Sequence, residues 1–81
     1  MIRFSAHAKE RLADRKLTAR EAFRIISTGT RRDIASTGNI DFFGRSDDGR
    51  PFQVTVDPSR FEDGVVVTII DLEATRRAAS K

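Results

Sequence analysis

His7, Arg11 and Arg15 stand four residues apart, a spacing that on a helix gathers one imidazole and two guanidiniums into a single stripe. At about 100° per residue each four-residue step drifts by about 40°, so the three side chains fall within an arc of about 80°. Ala8 and Leu12 lie beside that arc and can seat the helix on a core. The stripe is then left at the border between buried and exposed surface. Cleaving RNA through its own 2′-hydroxyl needs a base near that hydroxyl and cations around the phosphate, whose charge grows toward the transition state. His7 is the candidate general base, and Arg11 and Arg15 are candidates for a phosphate clamp. Arg45 and Arg50 are further candidates for nucleic-acid contact, from a later part of the chain. No second His, Tyr or Cys exists to act as general acid. The same residues also admit purely structural roles. His7 can hydrogen-bond a strand carbonyl, Arg11 can pair with Asp14 at i+3, and Arg15 can fix Asp41 or Asp57 across a sheet.

Charge sharpens the choice by its position more than by its total. Residues 1–32 carry nine Lys/Arg against Glu10, Asp14 and Glu21, a local excess of six positive charges, whereas residues 33–81 carry six against nine. Twelve of the fifteen cations are Arg, whose planar fork matches phosphate and carboxylate oxygens. Such a basic N-terminal part suits nucleic acid or an acidic protein partner, or it forms ordinary solvated helix faces. Arg76-Arg77 reads as a basic tail.

The elements that must position these residues follow from capping signals and from the hydrophobic period. Ile2 to Phe4 alternates and permits a brief edge strand. Ser5 is an N-cap for a helix from Ala6 to about Arg15. Thr18-Ala19-Arg20-Glu21 is a capping box that starts a second helix, with Ala22, Phe23 and Ile26 on its core face and Gly29 as its C-cap. From Thr30 the period changes. The expected strands are Arg31 to Thr37, Ile40 to Arg45, Pro51 to Asp57 and Val65 to Ile70, with turns at Gly38-Asn39 and at Ser46 to Gly49. In the last strand, parity puts Val66 and Ile70 on one face and Val65, Val67 and Ile69 on the other, so both faces carry apolar surface. Residues 71–81 read as a short final helix capped by Asp71, or as a frayed tail.

This order gives an α+β fold: two N-terminal helices on one face of a four-stranded antiparallel meander, with a short N-terminal edge strand and a C-terminal helix as additions. A chain of 81 residues has room for one domain, its core spanning about residues 2–71. The absence of Cys excludes disulfides and thiolate metal sites, and one His makes a metal or other cofactor unexpected. No apolar run reaches the roughly 18 residues of a membrane span, and MIRFSAHAKE lacks the apolar core of a signal peptide, so the cytoplasm is the expected location.

The pattern Phe4-Ser5-x-His7-Ala8-x-x-Arg11-x-x-x-Arg15-x-Leu17, then Glu21, then Gly49-Arg50-Pro51 leading to Val54 and a Val/Ile strand, resembles a bacterial family. That family is known as domain of unknown function 4258, and the resemblance covers about residues 2–70. The family looks like a relative of the RelE/ParE-like toxins, small α+β proteins that include ribosome-dependent endoribonucleases and are neutralised by an antitoxin. The resemblance implies that fold, action on RNA, and an antitoxin partner encoded nearby. Two positions depart from the usual pattern. Lys16 stands where Gly is common, and Ile70-Asp71 where an aromatic residue is common.

Overall fold

The computed structural model describes residues 2–59 and 64–74, and it builds an α+β fold from seven elements. They are β1 (Arg3–Phe4), α1 (Ala6–Arg15), α2 (Ala19–Thr28), β2 (Thr30–Asp33), β3 (Ile40–Arg45), β4 (Pro51–Asp57) and β5 (Val65–Asp71). The strands form one five-stranded sheet in the order β1-β5-β4-β3-β2. From β2 to β5 it is the expected antiparallel meander. The brief N-terminal strand makes it mixed, because β1 pairs parallel to β5 through Arg3 with Val65 and Phe4 with Val66. The expected strand at Arg31 to Thr37 is shorter. It ends at Asp33, and the chain turns back through Ile34 to Gly38, whose positive φ of 76° Gly alone adopts freely.

Both helices begin at the predicted caps. Ser5 Oγ accepts from Ala8 N at 3.1 Å, and Ser5 N donates to Val66 O at 2.9 Å, so one residue caps α1 and sews it to β5. Thr18 and Glu21 form the complete capping box of α2. α1 ends in a Schellman arrangement: Leu17 N donates to Leu12 O and Lys16 N to Ala13 O, while Leu17 turns inward and is buried. That geometry puts Lys16 at φ 54°, ψ 43°, where a Cβ is strained. Gly29 closes α2 for a different reason. Its backbone is extended, but an added Cβ would lie 2.4 Å from Ile25 O and 2.5 Å from Phe43 O, so only Gly lets the helix end touch β3.

The core lies between the sheet and both helices and comprises Ala8, Leu17, Ala22, Ile25, Phe52, Val54, Val56, Val66 and Ile69. The parity expected for β5 fails here. Val66 and Ile69 share the core although they are three apart, because a register shift at Thr55/Val56 turns the strand over between them. Asp71 Oδ1 accepts from Glu73 N and Ala74 N, the cap expected of it, and the backbone is helical at 72–74. The rest of the expected final helix lies outside the described residues.

Relieving the left-handed strain should be measurable. Lys16→Gly should stabilise the fold by about 1 kcal/mol, raising Tm by about 4–8 °C in a domain of this size, as read by thermal unfolding. A lower Tm would mean that the Lys side chain contributes more than its backbone costs.

Candidate functional site

α1 carries the stripe because Ala8 is fully buried beneath it and Leu12 packs against the core, which fixes the helix rotation. The stripe slants as it runs. His7, in the first turn, is exposed, and among the described residues neither a strand carbonyl nor any other partner engages it. Arg11 is half-buried and pairs with Asp14 at 3.2 Å, the i+3 contact that the spacing allows. Arg15 is half-buried too, and its Nε is buried without a hydrogen-bond partner among the described residues. Neither Asp41 nor Asp57 receives it. Asp41 is buried and accepts from Thr55 Oγ1 at 2.8 Å, while Asp57 accepts from Ser59. Eight residues separate His7 from Arg15, about 12 Å along the helix axis, so the two ends of the stripe meet different atoms of any ligand.

Of the two sheet-borne candidates, Arg50 reaches the stripe. Its Nη1 donates to Arg15 O at 2.6 Å and its Nη2 to Lys16 O at 3.1 Å, capping the last carbonyls of α1. Its Nε contacts Asp48, and the guanidinium lies 5.1 Å from the Phe52 ring centroid. Arg45 stays at the surface and donates to Gly49 O at 2.7 Å. The structure therefore brings Arg15 and Arg50 together at the C-terminal end of α1 and leaves His7 at the other end.

Two features beside the site had only a partial signal in the sequence. The capping box was visible, but Glu21 does more than cap: its Oε2 also accepts Asp47 N at 2.7 Å, from the turn between β3 and β4. Hydrogen bonds from Asp47 N–H and then Thr18 N–H hold this buried carboxyl below its ordinary value. Asp48 is likewise lowered, by the Ser46 hydroxyl and then by Arg50. Asp47 in turn accepts from Arg20 at 2.9 Å and from Arg24. The i+4 spacing of Arg20 and Arg24 was legible as one helix face, but nothing in the sequence names Asp47 as their common partner.

A surface concavity of about 360 Å³ lies elsewhere, where the β2–β3 connection meets Pro58, and its lining includes none of the five candidate residues. Among the described residues no three His, Asp or Glu side chains group in a way that could hold a metal ion, and no helix is long and apolar enough to cross a membrane.

Residues 4–71 match the family described as a domain of unknown function (DUF4258). The chain belongs to that family. Its match begins at Phe4, takes in the stripe and the β3–β4 turn, and ends with β5 at Asp71, so every candidate residue lies within the DUF4258 region. No curated protein and no solved structure matches the chain.

The depressed Glu21 carboxyl gives a signed pH dependence. A lowered folded-state value contributes stability that is fully present above the ordinary value of 4.5 and is lost as pH falls through the lower folded value. Unfolding free energy should therefore drop in acid below about pH 4.5, and Glu21→Gln should flatten that drop. At neutral pH the same substitution should cost about 1–3 kcal/mol, because an amide has one acceptor oxygen where three donors converge. Equal acid slopes for the two proteins would remove Glu21 from this role.

Proposed function

We propose that this protein binds RNA along the α1 stripe, with Arg11 and Arg15 as the phosphate contacts beside His7 and with Arg45 and Arg50 as flanking contacts. The observation that carries the reading is that His7 and Arg15, two of three side chains in one helical stripe, have no polar partner among the described residues. A fold that needed these groups only for its own stability would have used them. The third, Arg11, is joined to Asp14 at the surface, where an ion pair contributes little and yields readily to a phosphate.

A second reading, RNA cleavage of the RelE kind with an antitoxin as protein partner, is favoured by one observation: the chain's only imidazole faces solvent beside Arg11. In that reaction His7 takes the proton of the 2′-hydroxyl, while Arg11 and Arg15 hold the phosphate as its charge grows. Binding ranks above cleavage because among the described residues no hydrogen bond orients the His7 ring, and a base that is not oriented contributes less.

Titration with labelled RNA at several salt concentrations should give a Kd that weakens with salt, with a slope near 0.7 per phosphate contact for a single strand. Arg11→Ala should weaken binding. His7→Ala should leave affinity and Tm unchanged but abolish RNA cleavage on ribosomes, or growth inhibition, if the second reading holds. Wild-type protein whose RNA affinity ignores salt would overturn the binding reading, and wild-type protein inert toward ribosome-bound RNA would overturn cleavage.

A further inference from the structure

Four arginines converge on the four-residue turn Ser46 to Gly49. Arg20 and Arg24 reach Asp47 from α2, Arg24 Nη2 also donates to Arg45 O at 3.0 Å, Arg45 donates to Gly49 O, and Arg50 spans from Asp48 to the end of α1. Arg15 and Lys16 supply the carbonyls that Arg50 holds, so they belong to the same end of the molecule. Six cations here face three carboxylates, Glu21, Asp47 and Asp48. The local excess of three positive charges equals the net charge of the whole chain, so the remainder of the protein is neutral in sum.

What the guanidiniums are attached to matters as much as their number. Arg24, Arg45 and Arg50 each donate to backbone carbonyls, namely Arg45 O, Gly49 O, Arg15 O and Lys16 O. A carbonyl dipole aims a guanidinium without neutralising it, and each fork has five N–H groups to distribute. Rotamer entropy is thereby lost on folding rather than on binding, which favours capture of an anion. Arg20 is open, its side chain 79% exposed, and Lys16 is exposed with no side-chain partner among the described residues.

We propose that the Ser46 to Gly49 turn and the helix ends beside it form a second phosphate-binding patch, in which Lys16, Arg20, Arg45 and Arg50 receive an RNA backbone that continues past the C-terminal end of α1. This extension rests on the RNA-binding reading above. It adds Lys16 and Arg20, which lie off the stripe, and it makes the footprint run around one end of the fold rather than along one helix.

Two variants test it with the full chain and a short fluorescein-labelled oligouridylate as probe. Lys16→Gly removes a charge while relaxing a strained backbone, so weaker binding cannot be blamed on unfolding. Arg20→Gln leaves Asp47 its contact with Arg24. Each should reduce the slope of log Kd against log salt by about 0.7 and weaken binding roughly fivefold near 0.1 M salt. If the probe binds wild type, is lost on Arg11→Ala, and is indifferent to both Lys16→Gly and Arg20→Gln, the second patch is overturned and the stripe stands. If wild type shows no salt-dependent binding, both readings fall.

Discussion

A carboxylate withdrawn from water must be met by donors, or its burial costs several kcal/mol, and in this fold that demand falls on Glu21. Three neutral donors meet it: the Thr18 amide and hydroxyl, both at 2.9 Å, and the Asp47 amide. The first two lie three residues away and start α2. The third comes from 26 residues further on and fixes where the β3–β4 turn sits against that helix. With Asp47 held by its backbone, its side chain is left to organise Arg20 and Arg24. One anion therefore sets both the beginning of a helix and the placement of a cluster of cations, although among the described residues it forms no ion pair itself.

The arginines divide by what they do for the fold. Arg50 also braces the fold, tied to the end of α1, to Asp48 and to the Phe52 ring. Replacing it would disturb folding and binding together, so it is a poor probe of either. His7 and Lys16 lie at the opposite extreme, exposed and uncommitted, at the two ends of α1. Between them the helix offers a graded series from solvent-facing imidazole to a half-buried guanidinium, which a stripe crossing a packing boundary at a shallow angle must produce.

Much of the fold was legible because its signals are local. Ser5, the Thr18–Glu21 box, Gly38 and Gly49 each act within a few residues, and the limits of α1, β3 and β4 follow from them. What escaped was non-local. The parallel pairing of Arg3–Phe4 with Val65–Val66 leaves no mark on a two-residue segment, and the register shift at Thr55/Val56 defeats any parity argument along β5. For the site, helical spacing identified the stripe, and the pairing of Arg11 with Asp14 follows from the same arithmetic. The role of Arg50 as a cap on α1, across 35 residues, could not be read from spacing, because it depends on where the sheet carries the β3–β4 turn.

The parallel pairing of β1 with β5 also dictates when the pieces come together. β1 finds its sheet neighbour only when residues near 65 have emerged from the ribosome, and Ser5 meets Val67 across 62 residues. α1 rests on that same last strand. During synthesis, then, β2, β3 and β4 can assemble as a hairpin series while the His7–Arg15 helix still lacks its seat, because the contact across 62 residues waits until β5 is made. The basic helix acquires its fixed orientation only once β5 has been made, so a nascent or truncated chain lacking β5 would carry the charges without the surface they form.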